Sequence, residues 1–246
     1  MKNQYTGDIG DFGKLGLLRQ LGNAGFRIGV NWYLTPDNID RNNDGRFTSY
    51  LKNEAFRSCD PQLWEALGTL VDASRRKVEY LQQDEILPAV FFGECMDFAG
   101  RTYPERARER RTWQNRAVET LSGSDIIFVD PDNGLIVPSA ERSRKSVKYV
   151  LPEELEDYYA AGASVIYYQH KARCTDDIYM AHHEELLASG KFPDATGFGL
   201  KFRPTSQRYY FFLVHPQHKA RIQTVVDAML KTEWSKYFSW MELSTK

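Results

Sequence analysis

Two kinds of apolar pattern alternate along most of the chain. Short continuous apolar runs bounded by turn residues predict strands at 26–34, 89–93, 125–129 and 163–170. Helical spacing predicts a first helix at 11–25 and further helices near 47–56, 61–74, 106–121, 152–161 and 176–189. A weaker β-like run lies at 76–81. Strands that alternate with helices predict a parallel sheet covered by helices on both faces.

The pattern changes after residue 195. Two β-like runs are separated by Arg203–Gln207, which predicts an antiparallel hairpin, and a helix at 217–231 with an aromatic tail follows. We find no repeat, low-complexity segment or Pro/Gly-rich linker. The sequence therefore predicts one α/β domain over residues 1–246, with a doubly wound, mostly parallel sheet and a C-terminal antiparallel hairpin.

The composition is that of a globular protein, with 42% hydrophobic and 26% charged residues. No apolar run approaches the ~18–20 residues of a membrane-spanning helix, and the first residues lack the apolar core of a secretory signal. The three cysteines are scattered and fit neither a disulfide framework nor a zinc site. We expect a cytoplasmic protein with reduced thiols and no membrane partner.

Bulk charge argues against a protein that coats nucleic acid, because 32 basic and 33 acidic residues leave a net charge of −1. The net charge does not exclude binding of nucleic acid by a local basic segment. The arginine-rich segment Arg101–Arg111 is either a solvated helix face or a helix that contacts phosphates. The basic segment Ser143–Val150, which contains Lys145 and Lys148, is either a solvated loop or a clamp for a phosphate backbone.

Polar residues follow each predicted strand. Asp130-Pro131-Asp132-Asn133 directly follows the apolar run at 125–129 and is either a tight turn or a site at the carboxyl end of a buried strand. Glu94 and Asp97 follow the run at 89–93, where they could cap a helix or accept a hydrogen bond from a ribose hydroxyl or an adenine amino group.

Two further strand ends carry polar side chains. Thr35, Asp37 and Asn38 follow the first strand, where Thr-Pro-Asp-Asn is also good turn chemistry. His170 ends the strand at 163–170 and could act as a general base or contact a phosphate, although a histidine at a strand end is often only solvated.

The order of elements resembles the Rossmann-like fold of S-adenosylmethionine-dependent methyltransferases. In those enzymes the fourth strand ends in a motif that is often Asp-Pro-Pro-Tyr when an exocyclic adenine nitrogen is methylated, and Asp130-Pro131-Asp132-Asn133 lies at the corresponding place. The segment Gly7–Leu18 is similar to the Asn-x-x-Asp-x-x-Lys-His segment of 23S rRNA adenine-N6 methyltransferases. Asp8, Asp11 and Lys14 would occupy its positions.

The resemblance implies a methyltransferase that binds S-adenosylmethionine and acts on a nucleobase or a nucleotide-like substrate. Asp130 would accept the N–H hydrogens of the amino group and orient its lone pair, supplemented by Asp132 or Asn133, with His170 nearby. The cofactor-binding candidates are Asp8, Lys14, Thr35, Asp37, Glu94 and Asp97. The substrate-binding candidates are Lys145 and Lys148.

Two alternatives remain open. Asp130, Asp132 and Glu94, with Asp8 or Asp11, could hold Mg²⁺ in a nuclease or phosphoesterase. The chain could also be a methyltransferase-like binding module without catalysis. The loop after the first strand lacks the expected glycines, and Asn133 stands where an aromatic residue would stack on the base. The acceptor, its modified atom and the oligomeric state do not follow from the sequence.

Overall fold

The computed structural model describes residues 1–37 and 45–241. Within these ranges the helices are α1 (Ile9–Asn23), α2 (Glu54–Arg57), α3 (Pro61–Asp72), α4 (Val78–Gln83), α5 (Tyr103–Thr120), α6 (Pro152–Ala160), α7 (Asp176–Ala188) and α8 (Pro216–Met229). The strands are β1 (Ile28–Asn31), β2 (Val90–Phe92), β3 (Ile126–Val129), β4 (Gly134–Leu135), β5 (Tyr149–Val150), β6 (Ser164–His170), β7 (Thr196–Phe202), β8 (Arg208–Val214) and β9 (Phe238–Trp240).

Seven strands form one mixed sheet in the order β2-β1-β3-β6-β8-β7-β9. The first four are parallel, and β8 then pairs antiparallel with both β6 and β7. Along the chain, β1 is followed by β2, which lies on one side of β1 in the sheet, and then by β3, which lies on the other side of β1. This reversal is a topological switch point, beside which open α/β sheets place their ligand crevice at the carboxyl ends of the strands.

Side chains of β3 alternate between two apolar layers. Ile126 and Phe128 pack into the layer that contains α1, α3 and α8, whereas Ile127 and Val129 pack into the layer that contains α5, α6 and α7. Because both faces of the sheet are covered, a central strand is apolar at every position. The continuous apolar run in the sequence therefore identified a strand at the centre of the sheet, and the predicted α/β class is confirmed.

Other parts of the prediction need correction. The hairpin of β7 and β8 is confirmed in part, because β9 from the aromatic tail pairs with β7 and takes the edge of the sheet. Residues 76–81 do not form a strand, since α4 begins at Val78 and buries Val78 and Leu81 in the core. The short strands β4 and β5, which the sequence did not predict, form a separate parallel pair beside the loop after β3. No helix of the described residues is long and apolar enough to cross a membrane.

Candidate functional site

The first helix carries polar side chains into the interior. Asp8 caps α1, and its Oδ1 accepts hydrogen bonds from the backbone N–H groups of Gly10 at 2.7 Å and Asp11 at 3.1 Å. One turn later, Lys14 is 3% exposed. Every residue from Ile9 to Leu18 is buried, so the polar side chains of this segment are buried with the apolar ones. The polar face of this helix is therefore part of the protein interior.

Lys14 connects α1 to the end of β3. Its Nζ lies 2.8 Å from Asp11 Oδ1 and also forms an ion pair with the Asp130 carboxylate. Burial by itself lowers the pKa of Lys14, but the two carboxylates raise it above its ordinary value. Burial raises the pKa of Asp130, against the opposing effect of Lys14. Lys14 is thus a permanent buried cation that faces two acids.

The loop after β3 is held from three sides. The Asn133 N–H donates to the Lys148 carbonyl at 2.9 Å, and the Asn133 carbonyl accepts from the Gln169 side chain at 2.8 Å. Gln169 Oε1 also accepts from the Leu135 N–H at 2.9 Å. Gly134 has a φ of 109°, which other residues rarely adopt, and the Gln169 amide fills the space that a side chain on Gly134 would need. Gln169 therefore fixes the shape of this loop, a role that its position in the sequence did not indicate.

Asp132 faces cations at the switch point. Its Oδ1 lies 2.8 Å from the amino group of Met1, and its Oδ2 lies 3.5 Å from Lys148 Nζ. The Met1 amino group also donates to the carbonyls of Tyr33 and Asp130, both at 3.0 Å. Burial raises the pKa of Asp132, but the Met1 ammonium and Lys148 hold it below its ordinary value. Asp132 is consequently ionised at neutral pH.

These groups line a cavity of about 370 Å³ at the carboxyl ends of β3 and β6. Its carboxylates belong to Asp8, Asp11, Asp130 and Asp132. Its cationic side chains belong to Lys14, Arg46, Lys148 and Arg208. Tyr168 and Phe47 contribute aromatic rings. The volume lies within the ~300–1,000 Å³ typical of small-molecule sites.

His170 forms part of the wall. Its Nδ1 lies 3.2 Å from the Tyr168 hydroxyl. Burial and the charge of Arg208 lower the pKa of His170, so the imidazole is neutral at pH 7. A neutral imidazole can accept a proton or a hydrogen bond, which is the chemistry expected of His170 as a general base.

A second cavity adjoins the first. It has a volume of about 670 Å³ and shares Asn133 and His170 with the polar cavity. Its wall is mainly apolar and aromatic, with Tyr149, Tyr179 and Phe211 among the lining residues. The residues at the ends of β3 and β6 therefore lie between two spaces, each large enough for a small ligand.

The structure brings together seven of the twelve predicted site residues. The polar cavity is lined by Asp8, Lys14, Asp130, Asp132, Asn133, Lys148 and His170. Arg208 also lines the cavity and was not predicted, because no local pattern shows that the first residue of β8 reaches the end of β3. Lys145, a predicted substrate-binding residue, is exposed on the 3-10 segment Arg144–Lys148 and does not line the cavity.

The other predicted residues lie apart from the cavity. Glu94 follows β2 at the same edge of the sheet, but it is exposed and accepts from Arg116 Nε at 2.8 Å. Asp97 is exposed and accepts from the Ala99 N–H within its own turn. Thr35 contacts the Met1 carbonyl, and Asp37 accepts from the Gln4 N–H at 3.4 Å. Asn38 lies outside the described residues. Each of the four described side chains thus has a local structural partner.

The arginine-rich helix is only partly solvated. Arg110 is 6% exposed and binds the buried Glu154 carboxylate through Nε at 2.6 Å and Nη2 at 2.8 Å. The same carboxylate accepts from the Tyr33 hydroxyl at 3.1 Å. Tyr33 has a φ of 45°, an unusual value for this residue type. This buried network braces the backbone after β1, so part of the arginine-rich segment has a structural role.

We expect Asp8→Asn to remove a pH-dependent cost of folding. Burial and the nearby Asp11 raise the pKa of Asp8 to about 6. The unfolded value is ~3.9, so the fold favours the protonated form. The contribution of protonated Asp8 to the free energy of unfolding is therefore fully present below about pH 4. It is lost as the pH rises through about 6, because the folded state must then hold a buried charged carboxylate. Asparagine caps helices as well as aspartate and stays neutral.

The free energy of unfolding of Asp8→Asn should match that of the wild type near pH 4. At pH 7 it should exceed the wild-type value by about 2–3 kcal/mol, since each pKa unit corresponds to about 1.4 kcal/mol. Urea unfolding at both pH values measures this difference. An equal difference between variant and wild type at the two pH values would show that Asp8 does not titrate in this range.

Comparison with known proteins assigns no family. No protein-family model matches the chain, and no curated protein matches it. Among solved structures, the chain is similar to protein LPL1258 from Legionella pneumophila str. Philadelphia 1, which is described under the family model DUF519. The two chains are 10% identical, with 98% of each covered and a TM-score of 0.42. A likeness at this level carries no argument about function.

Proposed function

We propose that the protein is a methyltransferase-type enzyme that uses S-adenosylmethionine and acts on a nucleobase or a nucleotide-like substrate. The observation that carries the proposal is the position of the Asp130 carboxylate. Asp130 is the first residue after the central strand β3, lies beside the switch point of the sheet, is 3% exposed and lines the polar cavity. This is where open α/β sheets place the groups that act on a ligand.

Asp130 would act mainly by positioning. An exocyclic amino group is a poor nucleophile while its lone pair is conjugated with the ring. A carboxylate that accepts its N–H hydrogens can rotate the lone pair towards an electrophile, and such orientation contributes to rate without strong basicity. Lys14, which is itself bound to Asp11, holds the Asp130 side chain in place. Neutral His170, on the adjacent wall, could accept the proton that the amino group releases after transfer.

The arrangement of cavities supports a two-ligand reaction. Group transfer requires both reacting molecules to meet within about 3–3.5 Å. The polar and the larger cavity share Asn133 and His170, so ligands in the two spaces would meet next to the loop after β3. S-adenosylmethionine would supply the methyl group. Its ribose hydroxyls and ammonium group require acceptors, a chemistry that the cavity carboxylate of Asp8 fits.

The magnesium-dependent alternative lacks a comparable observation. It needs Glu94 beside Asp130 and Asp132, but Glu94 lies next to β2 and binds Arg116. Asp130 and Asp132 are each paired with an ammonium group. Within residues 1–37 and 45–241, no group of three His, Cys, Asp or Glu side chains could hold a metal ion. The contacts of these carboxylates therefore favour the methyltransferase proposal over the magnesium-dependent alternative.

Ligand-dependent stabilisation tests the proposal. A ligand present at 100 times its dissociation constant stabilises the folded state by about 2.7 kcal/mol, which corresponds to a rise in Tm of about 5–10 °C for a chain of this size. We expect S-adenosylmethionine to produce this rise. Transfer of an isotope-labelled methyl group to a panel of nucleosides, nucleotides and single-stranded oligonucleotides then tests catalysis.

The same experiment separates the alternatives. A rise in Tm with Mg²⁺ or Mn²⁺ and none with S-adenosylmethionine would replace the proposal by the nuclease or phosphoesterase alternative. Binding of S-adenosylmethionine or of nucleotides without methyl transfer to any member of the panel would favour the binding module.

A further inference from the structure

Arg208 occupies a buried and well-defined position at the wall of the polar cavity. It is the first residue of β8 and is 5% exposed. Its Nη1 donates to the carbonyls of Ser206 at 2.7 Å and Pro204 at 3.2 Å. The side chain passes over Gly10 so closely that a Cβ there would lie 2.8 Å from Arg208 Nε. The absence of a side chain at Gly10 thus allows the guanidinium to reach the cavity beside the first turn of α1.

No carboxylate of the described residues forms a direct ion pair with the guanidinium, although Asp8 lies nearby: a Cβ on Gly10 would be 2.8 Å from Arg208 Nε and 2.9 Å from Asp8 Oδ1. Arg208 forms no ion pair with any carboxylate in the described part of the chain, although buried arginines are nearly always paired. The carboxylates nearby already have other partners. Asp11 and Asp130 bind Lys14, and Asp132 binds the Met1 ammonium. Asp8 accepts from two backbone N–H groups of α1. The guanidinium of Arg208 is therefore not neutralised by a direct ion pair within the described residues, and the charge of Asp8 acts on it only at longer range.

Two further cations and two rings lie around the same space. Lys148 and Arg46 line the cavity with Arg208, and so do Tyr168 and Phe47. A guanidinium presents several N–H donors in a planar fork that matches two oxygens of a phosphate or carboxylate. The rings can cover the face of a heterocyclic base. The cavity thus combines an unpaired fork-shaped cation with surfaces suited to a base.

We propose that Arg208 anchors an anion subsite, which binds the phosphate or carboxylate group of a nucleotide-type ligand in the polar cavity. The anion could belong to a nucleotide substrate or to the amino-acid part of S-adenosylmethionine. The nature of the ligand rests on the proposed function, whereas the anion subsite itself rests on the unpaired buried guanidinium. A methyltransferase test can therefore fail while the subsite remains.

Two pairs of ligands test this subsite, and in each pair only one member, called the anionic member, carries a phosphate or carboxylate group. Adenosine 5′-monophosphate is compared with adenosine, and S-adenosylmethionine with 5′-methylthioadenosine, by calorimetry on the wild type and on Arg208→Met. In at least one pair, we expect the wild type to bind the anionic member more than about 10-fold tighter. Removal of one partner of a buried charged contact costs about 2–5 kcal/mol. Arg208→Met should therefore lower the affinity for the anionic member about 30-fold or more. The neutral member should be nearly unaffected.

The affected pair identifies the source of the anion. Loss of affinity for adenosine 5′-monophosphate assigns the subsite to a nucleotide phosphate, and inorganic phosphate should then compete. Loss of affinity for S-adenosylmethionine assigns it to the cofactor carboxylate. Arg208→Lys should retain part of the preference, because it keeps the charge and loses the fork. Arg203→Met, in the same hairpin and bound to the Ser239 hydroxyl, is the matched control and should bind as the wild type does.

Two results would overturn the proposal. The first is equal affinity of the wild-type protein for the anionic and the neutral member in both pairs. The other is an equal loss of affinity for both members in Arg208→Met, which would indicate a purely structural role. Since Arg208 also holds the hairpin turn, Lys148→Met serves as a second variant if Arg208→Met does not fold. It should reduce the preference for the anionic member several-fold, and an unchanged preference would count against the subsite.

Discussion

Asp130→Asn should lower the rate of methyl transfer on the order of 100-fold, because it replaces a carboxylate that accepts two N–H hydrogens by an amide with a single acceptor oxygen. The fold should remain intact. Asparagine keeps the shape of the side chain and removes a buried charge, and Lys14 retains Asp11 as a partner. We therefore expect a change in the free energy of unfolding of no more than about 1.5 kcal/mol. Single-turnover rates and urea unfolding measure the two quantities.

Asp125→Asn is the matched control for Asp130→Asn. Asp125 directly precedes β3, at the opposite end from Asp130, and does not line the cavity; its side chain accepts a hydrogen bond from the Arg27 backbone N–H at 2.8 Å. The control should transfer the methyl group at the wild-type rate. If Asp130→Asn also retains the full rate, Asp130-Pro131-Asp132-Asn133 is a structural turn and the proposed mechanism is wrong.

Lys14→Met should destabilise the protein by about 3–5 kcal/mol, the usual cost of removing one partner from a buried ionic group. The variant leaves the carboxylates of Asp11 and Asp130 together in the interior without their shared cation. For a chain of this size, each kcal/mol lowers Tm by about 2–4 °C. We therefore expect a fall in Tm of about 6–20 °C at pH 7, measured by thermal unfolding.

Lys145→Met provides the control, because Lys145 is exposed and lies outside the cavity. Its Tm should stay within about 2 °C of the wild type. The double variant Lys14→Met/Asp130→Asn should recover part of the loss, since it removes one of the two unpaired acids. A Tm of Lys14→Met equal to that of the Lys145→Met control would mean that Lys14 does not stabilise the two carboxylates in solution.

Much of the fold could be predicted because its signals are local. Ile126–Val129 is apolar at every position because both faces of the sheet are covered, and this pattern identifies a central strand without knowledge of its neighbours. Pro152 at the start of α6 and the Arg203–Gln207 turn between β7 and β8 are equally local features. Residues 76–81 were misassigned as a β-like run because a short segment with a valine and a tyrosine fits both a strand and the buried helical turn that begins at Val78.

The sequence by itself determined the α/β class, the central strand and the acidic loop at its carboxyl end, since each depends on residues adjacent in the chain. Only the tertiary structure decided which distant side chains meet that loop. Lys14 is buried because other elements cover the polar face of α1, and Gln169 and Arg208 reach the site because β6 and β8 pair beside β3. Glu94, at the same edge, binds Arg116 instead. Such contacts depend on strand order and helix packing, which no local pattern of residues encodes.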